Sequence, residues 1–262
     1  MKRYLYVALA VLLLALPGLA FSISCSAPTN DGPSDSSTAR AAIIDQLYSF
    51  QPNPVFINET VRVLGLYGFE VDIYQGDEVT VDLYRSLPSY GYRLIIFRAH
   101  SGIMGSEGHM IEQTSLFTSE PYSETKHISE QWSDRLSIAQ IDEHHPLVFA
   151  INDKFISQSM EGEFDNTVII MMGCSCLYID DMARAFVEKG ASTYIAWDAT
   201  VSLDFTDDVT AALVEKLSIQ GLTVGTAVAE IMDEKGPDPQ FYAVLKYYPP
   251  QSADKTLGQL IE

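Results

Sequence analysis

The chain is poor in cysteine, poor in basic residues and empty of the common glycine fingerprints. Its 262 residues hold three cysteines, Cys25, Cys174 and Cys176. That is too few for the disulfide framework of a small exported domain. Cys174 and Cys176 are too close in sequence for an easy bridge, because a disulfide needs suitably directed Cβ vectors. Lys and Arg number 16 against 35 Asp and Glu, a formal charge of −19. Such a surface repels phosphate backbones and excludes nucleic acid as a partner. There is no G-x-S-x-G elbow and no Rossmann or P-loop glycine run, so those hydrolase and nucleotide classes drop out. Ser101 and Ser106 lie near glycines, but not in a strand–turn–helix context. Internal repeats and a second linker are also missing.

The N-terminus has what the rest lacks. Lys2 and Arg3 precede an almost wholly apolar run from Tyr4 to Leu16, then Pro17-Gly18 and small residues. This layout predicts a signal peptide or membrane anchor over 1–24. Ser22-Ile23-Ser24-Cys25 resembles a bacterial lipoprotein box lacking its usual leucine, which makes Cys25 a lipidation candidate. Residues 25–39, rich in Ser, Pro, Asp, Asn and Gly, predict a flexible linker. The expected setting is extracytoplasmic, with any membrane contact through the N-terminal segment. Residues 40–262 then suit one α/β domain.

Within that body, apolar strands alternate with amphipathic helices. Ala41–Leu47, Phe69–Tyr74, Tyr92–Phe97, Thr167–Met172, Ser192–Trp197 and Phe241–Tyr247 read as strands. Helices are expected around Val61–Tyr67, Val79–Leu87 and Ile179–Val187, from a cap at Thr206 with an acidic first turn, and over Val224–Ile231. Residues 103–165 are mixed and polar and predict a hairpin or two, with one strand at Leu147–Ile151. The alternation implies an open, mostly parallel sheet with helices on both faces, a three-layer sandwich. Such sheets bind ligands beyond the carboxyl ends of their strands.

Two of those ends carry chemistry. YRLIIF runs into Arg98-Ala99-His100-Ser101-Gly102, and TVIIMM into Gly173-Cys174-Ser175-Cys176. A cysteine nucleophile works as a thiolate and needs an imidazole to take its proton or hold it as an ion pair. It also needs backbone N–H groups for the oxyanion. A thiol just before a helix gains from the positive helix terminus. Gly173 gives the backbone room to approach a substrate.

These motifs, in this order, resemble the caspase-like clan CD cysteine peptidases: caspases, gingipains, clostripain, legumain and CHAT domains. The stretch from MARAFVEKGASTYIAWDATVS to LTVGTAVAEIM is similar to the gingipain, clostripain and CHAT branch, and the resemblance spans roughly residues 41 to 248. It implies a cysteine endopeptidase acting on polypeptides without a cofactor. His100 would be general base or ion-pair partner, Cys174 the nucleophile, and the N–H groups of Ser101 and Cys174 the oxyanion donors. Serine stands at 101 where the family usually has glycine. An acidic residue in the first specificity pocket selects basic side chains in several members. Asp198 is the candidate here, with Trp197 lining the same pocket.

Two rival readings remain open. One is a metal site drawing on Cys174, Cys176 and His100, His109, His144 or His145, although a lone C-x-C is poor zinc spacing. The other is a non-catalytic binding module that keeps the fold.

Overall fold

The computed structural model describes residues 38–106 and 109–262. The signal peptide or anchor expected over 1–24, the expected linker up to Ser37 and the lipidation candidate Cys25 lie outside them. No helix among the described residues is long and apolar enough to cross a membrane.

Strand β1 (Arg40–Asp45) opens the domain and is buried along nearly its whole length. Helix α1 (Pro54–Tyr67) follows. It starts earlier than its apolar face suggests, because Pro54 at the first position and the Asn53 side chain, accepting the Phe56 N–H at 3.1 Å, nucleate its first turn. It ends as expected at Gly68, in the left-handed region at φ 111°. Then come β2 (Glu70–Gln75), α2 (Val81–Ser86) and β3 (Tyr92–Arg98). The helix expected over Val79–Leu87 is shorter, since Thr80 caps it and a tight 3₁₀ turn over Leu87–Tyr90 carries Pro88.

Between β3 and the next sheet strand lies the polar stretch. It forms β4 (Ser101–Ser106), β5 (His109–Pro121), α3 (Ile128–Trp132), β6 (Leu136–Ala139), β7 (Val148–Ile151) and α4 (Asp153–Gln158). These strands make a second, antiparallel sheet in the order β4-β5-β7-β6, more structure than the expected hairpins. The chain then returns through β8 (Thr167–Met171), α5 (Asp181–Glu188), β9 (Ala191–Trp197), α6 (Leu203–Ser218), α7 (Val224–Glu234), β10 (Leu245–Tyr248) and α8 (Leu257–Ile261).

The main sheet has the order β10-β9-β8-β3-β1-β2, with only β10 antiparallel. Side-chain alternation splits its core in two. Ile43, Leu94, Ile96, Val168, Ile170 and Ile195 face α1, α6 and α7. Ile44, Ile95, Phe97, Ile169 and Met171 face α2, α4 and α5. The architecture is therefore the α/β one expected, an open and mostly parallel sheet with helices on both faces.

Two expectations near the C-terminal half change. Thr206 does not cap a helix: α6 begins at Leu203, and Thr206 sits buried inside it, accepting the Trp197 indole N–H at 2.8 Å. The last strand starts at Leu245, not Phe241, because Phe241 and Tyr242 belong to a turn organised by buried Asp238, which accepts the N–H groups of Gln240 and Phe241.

Candidate active site

The site follows from the register of the two central strands. β3 and β8 run parallel with Phe97 beside Met171. The Met172 N–H still donates to the Phe97 carbonyl at 2.9 Å, so the pairing continues past the formal strand end. Beyond those pairs the chain leaves the sheet, and His100 follows the carboxyl end of β3 as Cys174 follows that of the adjacent β8. The loops they sit on touch. The Ser101 hydroxyl donates to the Cys174 carbonyl at 2.7 Å.

The β3 end is anchored by charge. Arg98 is fully buried. Its guanidinium bonds Asp45 through Nη1 at 2.8 Å and Asp207 through Nε at 2.8 Å and Nη2 at 2.9 Å, and Nη2 also donates to the Gln51 carbonyl. Thus the first acidic turn expected for α6 is partly a buried ion pair, with Asp207 turned inward. His100 is fixed through its backbone. Its N–H donates to Gln46 Oε1 at 3.0 Å and its carbonyl accepts the Phe117 N–H at 2.9 Å. Its ring meets Phe50 edge-on at 5.2 Å and Phe117 at 6.0 Å between centroids. Nε2 is enclosed and has no partner among the described residues. Burial, with smaller contributions from His145 and Arg98, pushes the imidazole down to about 4. His100 is therefore neutral at ordinary pH.

The β8 end is anchored by neutral groups. The peptide between Cys174 and Ser175 is clamped at both ends: its carbonyl by Ser101, its N–H by the Ala199 carbonyl at 2.9 Å. Ser175 adopts the left-handed region at φ 57°. A Cβ at Gly173 would lie 2.2 Å from Ser101 Oγ and 2.7 Å from the Ala99 carbonyl. The room that glycine leaves is thus filled by the neighbouring loop, not by substrate. Cys176 is fully buried and donates to Ser101 Oγ at 3.0 Å. Burial pushes its thiol up to about 12, so it remains a donor.

Cys174 itself is half-buried, and its thiol points at the Val201 carbonyl, 3.7 Å away. Burial is the main cause of its raised pKa. The first residue of α5 is Asp181, so the helix that follows Cys174 in the chain does not begin directly behind the thiol as the sequence suggested. No hydrogen bond among the described residues joins Cys174 to His100. The resting pair is a neutral thiol and a neutral imidazole, not an ion pair.

The Ser101 N–H is not spent on the second sheet. Ser101 pairs with Leu116, and the bond from Phe117 to His100 marks that pair as one without mutual hydrogen bonds. Its N–H therefore faces away from β5, on the open side of the end strand β4.

The expected specificity residues are placed otherwise. Trp197 is fully buried in the core with its N–H satisfied by Thr206, so it lines no pocket. Asp198 accepts the Val244 N–H at 2.7 Å and pairs with Lys246 at 2.8 Å. Both carboxylate oxygens are engaged by the chain itself, which leaves no free charge to select a basic side chain. The metal reading finds its thiols on different partners, Val201 and Ser101, while His145 bonds Asp142. Sequence reasoning missed Gln46, Phe50 and Phe117, which lack any motif. It also passed over Arg98 and Asp45, although a charge closing each of two apolar strands was a visible signal.

No family model and no curated protein matches the chain. Among solved structures it is similar to the Arg-specific cysteine proteinase gingipain R (RgpB) and to the complex of Porphyromonas gingivalis RgpB pro- and mature domains. Both comparisons give 12% identity and a TM-score of 0.45 over 84% of this chain. The chain spans 45% and 46% of the lengths of those two, less than half of either.

Proposed function

We propose that this protein is a caspase-like cysteine endopeptidase with Cys174 as nucleophile and His100 as general base. The observation that carries the reading is that His100 and Cys174 follow the carboxyl ends of two adjacent central strands on loops that touch, with an imidazole nitrogen that has no partner among the described residues. Edges of this kind are where open α/β sheets bind ligands. A neutral imidazole keeps one ring nitrogen free of a proton, as a general base needs, although the burial that holds its pKa at about 4 makes it a weak base at rest.

In the reaction the thiol leaves the Val201 carbonyl by side-chain rotation and passes its proton to the imidazole. Sulfur attacks the peptide carbonyl carbon, and the oxyanion is received by the N–H groups of Ser101 and Cys174. The C–N bond then breaks, and the imidazolium returns its proton to the departing amine. Water, deprotonated by the same imidazole, hydrolyses the thioester and restores the thiol.

The leader carries the second part of the proposal: export, with release or anchoring through residues 1–24 or lipid on Cys25. Cell fractionation of the full chain and of Cys25→Ser tests it; recovery of both in the cytosol contradicts export.

One observation favours a binding module instead, namely that thiol and imidazole keep separate partners at rest. Internally quenched peptides decide. Peptidase chemistry predicts cleavage by the wild type that is lost in Cys174→Ala and in His100→Ala. Residual cleavage equal in all three proteins contradicts it.

A further inference from the structure

The second sheet ends on one side at β4, whose outer edge pairs with no strand among the described residues. The register says which groups face outward there. Ser101 pairs with Leu116 and Ile103 with Thr114, and the ladder shifts only beyond Met104. The first pair lacks mutual hydrogen bonds, as the bond from the Phe117 N–H to the His100 carbonyl shows. Two residues on, the second pair is of the same kind. Thr114 agrees, since its N–H donates away from β4, to Asp181 Oδ2 at 2.8 Å. The N–H and carbonyl of both Ser101 and Ile103 therefore point out of the sheet, with no partner among the described residues. Two donors and two acceptors in a row are a template for an added strand.

The place where this edge begins fixes what occupies it. Ser101 directly follows His100, and its hydroxyl holds the Cys174 carbonyl. A peptide attacked by Cys174 turns its nitrogen toward the group that protonates it, and that group is His100. β4 leads away from His100, whereas Val201, which holds the resting thiol, follows β9 on the other side of β8. The substrate beyond the scissile bond thus belongs to β4, and the part before it to the β9 side. We infer that the leaving-group side of the substrate binds as a strand added to the open edge of β4 and running in its direction, so that the site takes extended polypeptide and reads its backbone. The inference rests on the peptidase reading.

Parallel pairing dictates which substrate groups are read. With the attacked carbonyl at the Ser101 N–H, the second residue after the bond lies between Ser101 and Ile103. Its N–H donates to the Ser101 carbonyl, and its carbonyl accepts the Ile103 N–H. The fourth residue donates its N–H to the Ile103 carbonyl, and the N–H of the third faces away. The strand itself adds little selection by side chain. A Cβ built at Gly102 or Gly105 would meet nothing within 4 Å, so both positions leave the faces of β4 bare. The substrate class is therefore a segment free to extend for four residues past the bond, of varied sequence but without proline at the second.

The test uses peptides of one sequence, N-methylated singly at the second or third residue after the scissile bond, with cleavage by the wild type followed by chromatography. Methylation at the second residue should lower kcat/KM about tenfold, and at the third leave it within about twofold. A peptide that continues for four residues past the bond should be cleaved about tenfold faster than one that stops after the first. Ile103→Pro removes an outward N–H and no ladder bond, and should cut that advantage to about threefold. Equal effects of the two methylations, or none from either, overturn the added strand and leave the peptidase standing. An advantage of the longer peptide that Ile103→Pro does not change also overturns it. No cleavage of any peptide removes the peptidase reading, and the added strand with it.

Discussion

The two strand ends that carry the candidate pair are held by opposite means. Past β3, a buried arginine gripped by two carboxylates locks the backbone two residues before His100. Past β8, a hydroxyl, a thiol and backbone carbonyls hold the turn around Cys174 without any formal charge. A charged anchor is stiff because breaking it strands a charge in the interior. A neutral clamp costs only about 1 kcal/mol per bond to open. The difference suits the proposed roles: a general base needs a fixed place, whereas the nucleophile would have to swing from the Val201 carbonyl toward a substrate.

The largest expected effect comes from breaking the charged side. Arg98→Met leaves Asp45 and Asp207 buried without their partner, and should cost about 3–5 kcal/mol in urea unfolding. A loss below about 1 kcal/mol would mean the anchor is not stiff, and the contrast between the two ends would fail.

Next in size is the titration of His100. Burial holds its pKa at about 4, below the ordinary imidazole value of 6.5. Between those two values the unfolded chain binds the extra proton, so stability should rise with pH from 4 to 6.5 and be flat above. The contribution is about 3 kcal/mol at most. Urea unfolding of wild type minus His100→Gln, at pH 4 and at pH 7, isolates it. The difference should vary with pH across that window; a constant difference means His100 is not buried neutral.

The neutral clamp should respond more gently. Ser101→Ala removes the bond to the Cys174 carbonyl and should destabilise by about 1 kcal/mol. On a cleavable peptide it should lower kcat about tenfold with KM within about twofold, because it misplaces the nucleophile without touching the substrate. A rise in KM at constant kcat would reassign Ser101 to binding. Smallest of all is Cys176→Ser, whose hydroxyl still donates to Ser101 Oγ and should stay within about 1 kcal/mol of wild type, while Cys176→Ala loses the donor. Equal stability of these two variants would show that the Cys176 bond has no part in the clamp.

The asymmetry also explains what the sequence allowed one to read. The parallel sheet was legible because β3 and β8 are apolar on both faces, and such runs have few other uses. His100 and Cys174 stood out as polar residues at the tips of those runs. Trp197 was misplaced because an aromatic at a strand end looks the same whether it faces a pocket or, as here, hydrogen-bonds inward to Thr206. Asp198 misled for a related reason: Lys246, its partner, is 48 positions away on β10 and carries no local signal. Thr206 and Asp207 look like a helix cap and its acidic turn, and only the tertiary partners Trp197 and Arg98 reveal them as core. The clamp at Ser101 was invisible, since it depends on a gap left by Gly173 on another strand.

The central claim is that His100 activates Cys174. Its most direct test is an electrophilic peptide probe applied to the native protein, with the modified residue mapped by mass spectrometry. The account predicts an adduct on Cys174, none on buried Cys176, and labelling at least about a hundredfold slower in His100→Ala. A native protein in which Cys174 stays unlabelled, or reacts equally fast without His100, would contradict it.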